Sequence, residues 1–417
     1  MNYEVIMFNM SNYSEWVKGV NNRNFQIFQQ LKKRKEIKRI VLVDYLPFSL
    51  KRGLKNYLKD ILFPVFLRKK AIIYKDATTQ AEIVQEKGPQ IIHFSTIDSL
   101  FNSKLVVDKI EGVLKTLPDN LNISKKNLKR IVWSFSPINT CFLKLRCDLK
   151  VFDAVDNWLF HSSYLRKRKV LEENYQEIAK KSQIIFVLNK HLKKFFLDLG
   201  RKKDVFVVSN GVDYQFFQEI KMIFDEEFSS IPRPIIGYSG IIGDRIDFCL
   251  VEYLVKNNPY KSFVFIGPIW PIYFRRIRDP FSPVEKLKKY PNVYFLGPKS
   301  YQSLPYYLSN FDVGIIPLKV SIFNRYTSSM KLLEYLAVGL PVVSTPTSGI
   351  EEFISIKKKN SGIIYSAFTY PEFFKMINLA LKKEGTQLKQ ARKKIAQEND
   401  WRIKVDEILD IIKQKLT

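Results

Sequence analysis

Short apolar runs recur along almost the whole chain, and between them apolar residues return at helical spacing. That alternation limits the fold more than any other feature. In the first half the strand-like runs are Val5–Met10, Arg39–Tyr45, Gln90–Ser95, Arg130–Ser136, Lys150–Val155, Gln183–Leu188 and Val205–Asn210. Helix-like stretches at Phe25–Lys35, Val106–Leu117, Tyr164–Lys181 and His191–Leu199 separate them. The runs do not alternate with polar residues, so strands buried on both faces of a parallel sheet are expected. A looser stretch, Gln218–Pro234, marks a boundary. The pattern then restarts at Ile235–Tyr238, Ser262–Ile266, Val293–Leu296, Val313–Pro317, Pro341–Thr345 and Gly362–Tyr365. The expectation is an α/β chain of two doubly wound parallel-sheet domains, residues 1–218 and 219–397, facing a cleft. The tail reads as one helix striped by Trp401, Val405, Ile408, Leu409, Ile412 and Leu416. Residues 398–417 are expected to pack back on the first domain.

A chain of 417 residues with 46% hydrophobic and 14% aromatic side chains can fill two cores, which excludes wholesale disorder. No apolar run reaches membrane-spanning length and no signal peptide is visible, so a cytoplasmic location is expected. Cys141, Cys147 and Cys249 are too few and too scattered for a disulfide framework or a zinc site. The formal net charge is +27. Residues 1–218 hold 39 Lys and Arg against 21 Asp and Glu, and the remainder hold 29 against 20. Compositional drift would not concentrate charge in one half. Nucleic acid, an anionic membrane surface or a polyanionic substrate would each explain it.

The run from Thr327 to Thr345 carries the most chemistry. It reads as a polar turn, a helix, a Gly339-Leu340-Pro341 break and a buried strand. Backbone N–H groups at Ser328, Ser329, Met330 and Lys331 would open the helix, where the macrodipole favours anions. Glu334 follows Lys331 at i+3 and is expected at the rim of the helix. Such a pair suits a nucleotide, with diphosphate at the helix end and the ribose hydroxyls on the carboxylate. An ordinary capped helix with an exposed Lys–Glu pair explains the window equally well when it is taken alone.

Other motifs join it in order: Val208-Ser-Asn-Gly-Val-Asp213, Ile236-Gly-Tyr-Ser-Gly240, Phe263-Val-Phe-Ile-Gly267, Asn292-Val-Tyr-Phe-Leu-Gly297 and Phe311-Asp-Val-Gly-Ile-Ile-Pro317. Together they resemble group 1 (family 4) glycosyltransferases of the GT-B fold, which has two Rossmann-like domains. The resemblance is strong over residues 205–350 and weak before residue 125. Val151-Phe-Asp-Ala-Val-Asp-Asn-Trp158 looks closest to bacterial teichuronic-acid-type and related cell-surface polysaccharide transferases. The resemblance implies transfer of a sugar from a nucleotide-diphosphate donor to a hydroxyl of a saccharide or lipid-linked acceptor. It further implies retention of configuration, with no metal and no cofactor beyond the donor.

The same resemblance assigns roles. The diphosphate falls to Gly240, Arg245, Ser328, Ser329, Met330 and Lys331, and the ribose to Glu334. The base falls to Gly297, Lys299 and Tyr301. Asp156 is the candidate catalytic carboxylate, as base or sugar ligand, although a carboxylate at a strand end commonly caps the next helix. Arg23 and Thr327 are candidate sugar or acceptor contacts. Three positions depart from the family pattern: Tyr326 stands where a second glutamate is usual, Ile241 where an arginine is, and Met10–Val20 contains only Gly19. A nucleotide-sugar 2-epimerase shares this architecture but needs an acid–base set that is not evident. A non-catalytic polyanion-binding protein needs only the charge.

Residues 50–70 hold seven basic residues, Lys51, Arg52, Lys55, Lys59, Arg68, Lys69 and Lys70, against one acid. Leu54, Tyr57, Leu58, Ile61 and Leu62 share a helical face. A helix packed on the core with a solvated basic face would read the same way. A segment lying on anionic lipid would gain about 1 kcal/mol per cation. The expectation is peripheral binding to the inner face of the cell membrane, with no specific nucleic-acid partner.

Overall fold

A computed structural model of the chain describes residues 1–47, 49–62, 70–84, 88–117, 128–270, 282–347, 349–351, 353 and 362–417. Two compact units result: residues 1–208 with 405–417, and residues 209–404.

The first unit is built on a nine-stranded sheet: β1 (Asn2–Phe8), β2 (Ile37–Val43), β3 (Lys70–Lys75), β4 (Thr79–Val84), β5 (Gln90–Thr96), β6 (Leu128–Ser134), β7 (Leu149–Ala154), β8 (Ile184–Val187) and β9 (Val205–Val207). The order is β3-β4-β5-β2-β1-β6-β7-β8-β9. From β5 to β9 every pairing is parallel. The strand order reverses direction at β1 and β6, the topological switch point of a doubly wound sheet. Its strands read as apolar runs because residues on both faces are buried; Val5, Ile6 and Met7 are successive and none is more than 1% exposed.

One expectation needs correcting. The sheet is not wholly parallel, because β4 runs antiparallel to both β3 and β5. The Asp76 carboxylate accepts from the backbone N–H groups of Thr78 and Thr79 at 2.8 and 2.9 Å, which folds a hairpin onto the sheet edge. The loop Met10–Val20 is also reshaped: Tyr13–Val17 is a short helix closed by a capping box between Asn12 and Glu15.

The second unit has six strands, all paired in parallel: β10 (Ile235–Ser239), β11 (Ser262–Ile266), β12 (Val293–Phe295), β13 (Val313–Ile316), β14 (Val342–Ser344) and β15 (Ile364–Ser366). Their order, β12-β11-β10-β13-β14-β15, is the 3-2-1-4-5-6 arrangement of a dinucleotide-binding sheet. Alternate residues feed two cores. Val264 and Ile266 belong to one layer, Phe263 and Phe265 to the other. The helix Met330–Ala337 lies over this sheet because Gly314 leaves room for it: a Cβ there would stand 2.6 Å from the Tyr335 ring.

The last helix, Trp401–Leu416, begins in the second unit and ends in the first. In the first unit its Asp406 and Lys415 pair with Arg34 at 2.8 Å and Asp204 at 2.9 Å. Among the described residues no helix is long and apolar enough to cross a membrane.

Candidate functional site

The switch point of the second unit lies where β10 and β13 end, at Ser239 and Ile316. Two tyrosines, Tyr238 and Tyr335, shape it. The Tyr335 hydroxyl accepts from the Ser239 backbone N–H at 2.8 Å, tying the 330–337 helix to the end of β10. The next residue, Gly240, has φ +132°, and a Cβ on it would fall 2.2 Å from Lys331 Cε and 2.6 Å from Nζ. The lysine therefore occupies the space a side chain would take, its ammonium 5.5 Å from the Tyr238 ring centroid.

Ser329 is the N-cap of the helix but makes no side-chain cap hydrogen bond. The opening N–H groups are thus not closed by the Ser329 hydroxyl, as an anion-binding end requires. The turn before it is held from behind by Asn210, whose Nδ2 donates to the Ser328 carbonyl at 2.9 Å. The Asn-Gly-Val-Asp turn thus braces this helix start, a purpose its sequence does not reveal.

Arg245 supplies a second cation. Its Nε donates to Asn324 Oδ1 and its Nη2 to Thr327 Oγ1, both at 2.9 Å, and its guanidinium lies 5.2 Å from the Phe323 ring centroid. Among the described residues neither Arg245 nor Lys331 forms an ion pair. Thr327 is 3% exposed, with its hydroxyl also donating to the Asn324 carbonyl. It holds Arg245 and does not present its hydroxyl to solvent.

Glu334 corrects the picture of a rim residue. It is only 9% exposed, because the 214–218 and 386–398 helices and strands β13 and β14 all pack against its helix. Burial raises its carboxyl pKa and Lys331 pulls it the other way. No hydrogen-bond donor reaches this carboxylate among the described residues. The residue is buried, but its carboxylate oxygens still reach solvent, so the end of the side chain is open to a donor from outside the protein.

The expected base-binding trio is brought only partly to this place. Gly297 accepts at its carbonyl from Gly267 N–H at 2.8 Å, and Gly240 N–H donates to the Ile266 carbonyl at 2.8 Å, so the loops after β10, β11 and β12 are laced together. Lys299 is committed elsewhere, to Asp225 at 2.8 Å. Burial works against its charge, but Asp225 and Tyr307 hold its pKa above the usual lysine value. Tyr301 stacks on Phe216 at 4.8 Å and 5°. Both side chains are thus engaged in contacts within the protein.

Arg23 and Asp156 belong to the first unit. Arg23 is 1% exposed and its Nε donates to Asp153 at 2.8 Å, itself fully buried. The guanidinium thus faces a carboxylate inside the core and not the surface. Burial nonetheless pushes the Asp153 pKa up, against Arg23 and Trp133. Asp156 follows the end of β7, and its backbone carbonyl accepts from the Tyr175 hydroxyl at 3.2 Å. That hydroxyl also accepts from Trp158 N–H at 3.1 Å, which fixes the loop.

A cluster that residue spacing did not suggest lies nearby in the first unit. His93 Nε2 meets Asp44 at 2.9 Å and Nδ1 meets Glu82 at 2.9 Å, all three buried. Burial disfavours the imidazolium, but the two carboxylates outweigh it and raise the pKa to about 10. Asp44 also accepts from Tyr13 N–H at 2.7 Å, so the cluster anchors the 13–17 helix. In the basic segment, Lys51 and Lys55 are exposed on the helix Leu50–Asn56. Arg68 and Lys69 lie outside the described residues, as do the side chains of Arg52, Lys59 and Lys70. Among the described residues no group of three or more His, Cys, Asp or Glu is placed to hold a metal ion.

Comparison with known proteins adds independent findings. Residues 251–382 match the family model described as glycosyl transferases group 1. A Bacillus subtilis (strain 168) protein, provisionally named the teichuronic acid biosynthesis glycosyltransferase TuaH, is 28% identical over 268 residues. The match spans 61% of this chain and 64% of that protein, less than two thirds of its length. Among solved structures, Anabaena Alr3699/HepE in complex with UDP and glucose has a TM-score of 0.60 at 13% identity, over 98% of this chain and 99% of that one. Sucrose-phosphate synthase from Thermosynechococcus elongatus has a TM-score of 0.66 at 10% identity, over 99% of each chain. The fold is GT-B, and the resemblance to group 1 glycosyltransferases drawn from the motifs is borne out.

Proposed function

From a GT-B chain that resembles group 1 glycosyltransferases, we propose that this protein transfers a glycosyl group from a nucleotide-diphosphate sugar to a hydroxyl of a saccharide or lipid-linked acceptor, in cell-surface polysaccharide synthesis. One observation carries the reading: Glu334, whose carboxylate accepts from no donor among the described residues, lies one helical turn from Lys331, which forms no ion pair among them, at the switch point of a dinucleotide-type sheet. Diphosphate at the helix start, with Lys331 and Arg245 as counter-charges, and ribose hydroxyls donating to Glu334 would give each of these groups a partner.

In the reaction, the bond between the anomeric carbon and the diphosphate oxygen breaks, and the electron pair leaves with the diphosphate. Fixed cations and backbone N–H groups aimed at that oxygen stabilise the developing charge more in the transition state than in the ground state. We assign this work to Lys331, Arg245 and the amides of Ser328 to Lys331, without a metal. The acceptor oxygen then bonds to the anomeric carbon and its proton passes to a base or to the departing phosphate; retention follows if both events occur on one face of the sugar. Asp156 in the first unit is the carboxylate we assign to the acceptor or donor sugar hydroxyls. Lys51 and Lys55, with the rest of the basic segment, would hold the enzyme to the inner face of an anionic membrane.

The test is a thermal-shift panel of UDP, GDP, ADP and dTDP on the full chain, followed by hydrolysis and transfer assays with the matching nucleotide-sugar. One diphosphate is expected to stabilise the wild type. A protein stabilised by none of them, but bound equally by any polyanion in a salt-dependent way, would make this a charge-driven binding protein instead.

A further inference from the structure

The turn after β10 carries charge at one end and hydrocarbon at the other. Lys331 packs on Gly240, at its start. Three residues on, a Cβ on Gly243 would stand 3.3 Å from Trp270 Cβ and 3.7 Å from Ile241 Cγ2, so these two side chains flank a single glycine. Both are open to solvent where a core would cover them: Ile241 is 55% and Trp270 47% accessible. Backbone bonds fix the pair. Ile242 N–H donates to the Pro268 carbonyl and Trp270 N–H to the Ile242 carbonyl, both at 2.9 Å, which ties the loop after β11 to this turn. The Tyr238 hydroxyl donates to the Ile241 carbonyl, also at 2.9 Å.

Those bonds also decide what the pair can recognise. The carbonyls of Ile241, Ile242 and Pro268 and the N–H groups of Ile242 and Trp270 are matched within the protein, so what the pair presents is carbon. An isoleucine beside an indole is complementary to carbon-bound hydrogen and offers nothing to a hydroxyl or an acetamido group. Its place along a nucleotide-sugar follows from the 330–337 helix. Ribose on Glu334 and diphosphate on Lys331 run outward along that helix by one turn. Lys331 meets this turn at Gly240, so the part of the donor beyond the diphosphate, the glycosyl group, is the part that reaches Ile241 and Trp270.

We propose that Ile241 and Trp270 determine which sugar this protein transfers, by seating the C6 methyl group of a 6-deoxyhexose. The proposal deepens the transferase reading and rests on it, since the pair meets the sugar only when the nucleotide lies on Lys331 and Glu334. The parent hexose would bring a 6-hydroxyl to the same place, where it loses water and gains no partner. Apolar pockets separate ligands that differ by one methylene or one hydroxyl by about 10- to 200-fold. The pair makes and breaks no bond; it sets specificity.

The test is titration calorimetry of the full chain, first with UDP, GDP, ADP and dTDP. Pairs of sugar donors on the base that binds follow, each pair a hexose and its 6-deoxyhexose, in the gluco, galacto and manno series. In at least one series the 6-deoxy donor should bind about 10-fold or more tightly than its 6-hydroxy partner. Ile241→Ser and Trp270→Ala alter exposed side chains, so both should fold. Each should abolish that preference and leave the affinity for the bare nucleoside diphosphate as in wild type. Equal affinity within every pair, or tighter binding of the 6-hydroxy donors, would overturn the proposal while binding of the bare diphosphate keeps the donor site. A fall in bare diphosphate affinity in Trp270→Ala would overturn it as well, because the indole would then be holding the base. Binding of no nucleoside diphosphate would remove the donor site and this inference with it.

Discussion

Replacing Glu334 by glutamine separates a ligand-binding carboxylate from a structural one, because the two roles predict opposite signs. The side chain is 9% exposed and accepts from no donor among the described residues, and burial raises its pKa from the ordinary 4.5. A carboxyl whose folded pKa is raised contributes stability that is present below its unfolded pKa and lost as pH rises through the folded value. At neutral pH the ligand-free protein therefore carries a penalty that Glu334→Gln removes, and the variant should be at least as stable as wild type in urea unfolding. Nucleotide binding should move the other way. Glutamine keeps the shape and one acceptor oxygen but loses one charge-assisted hydrogen bond to the ribose, worth about 1.5–3 kcal/mol. That corresponds to a rise in Kd of roughly 10- to 150-fold. Titration calorimetry with UDP measures it directly. In wild type the affinity should also climb with pH as the carboxyl ionises, and in the variant this climb should vanish. An unchanged Kd, or a loss of more than about 1 kcal/mol of stability without ligand, would refute the reasoning.

Other perturbations test the remaining charges. Gly240→Ala meets Lys331 and places a side chain at φ +132°, at a cost of about 1–3 kcal/mol; nucleotide affinity should fall at least about 10-fold as Lys331 is displaced, and calorimetry with Lys331→Met as the reference checks it. The His93 pKa is raised to about 10, so its contribution is complete below pH 6.5 and lost as pH rises through about 10. His93→Gln should flatten that alkaline loss in thermal melts and cost about 3–5 kcal/mol, because Asp44 and Glu82 stay buried. Arg23→Met should cost a similar amount, about 3–5 kcal/mol, by stranding Asp153. The double variant Arg23→Met with Asp153→Leu should recover most of it in urea unfolding; a single-variant loss under about 1 kcal/mol would mean that Arg23 is free to meet a ligand.

Where both faces of a strand are buried, its sequence is apolar throughout, and such strands were legible to within three residues at either end: Ser262–Ile266 coincides with its expected bounds, Gln90–Thr96 differs by one residue, and Asn2–Phe8 begins three residues before its expected start. The hairpin at the sheet edge was not. β3 is half exposed and mixes Lys70 and Lys75 with apolar residues, so it blends into the basic segment before it, and only the Asp76 turn marks the fold-back. The 330–337 helix was legible as a helix, yet counting from Leu332, Leu333 and Leu336 placed Glu334 outside. Burial came instead from the 214–218 and 386–398 helices, far away in the chain. The protein partners of Lys299 and Tyr301 were hidden for a related reason. Their partners, Asp225 and Phe216, lie in the stretch before β10, and no local pattern announces the pairing.

The two units handle buried charge in opposite ways, and that difference locates the nucleotide. In the first unit the buried ions are matched internally: Arg23 with Asp153, His93 with Asp44 and Glu82, Arg39 and Arg130 with Glu4, Lys109 with Asp76 and Asp98. Most of these pairings offset their own desolvation; Asp153 is the exception, its pKa still raised by burial and its second oxygen without a hydrogen-bond partner among the described residues. At the switch point of the second unit the matching stops. Arg245 is held by the neutral oxygens of Asn324 and Thr327, Lys331 lies against a glycine and a ring face, and Glu334 accepts from no donor among the described residues. Two half-buried cations without an ion pair among the described residues, beside a carboxylate without a donor among them, leave their capacity for a ligand. A single molecule bearing negative charge at one end and hydroxyl donors a few ångströms away would engage all three together. A nucleoside diphosphate has that distribution, and an isolated phosphate or a bare sugar has only half of it. Inorganic pyrophosphate should therefore bind this site, but its affinity should be indifferent to Glu334→Gln, whereas that of the nucleoside diphosphate should not.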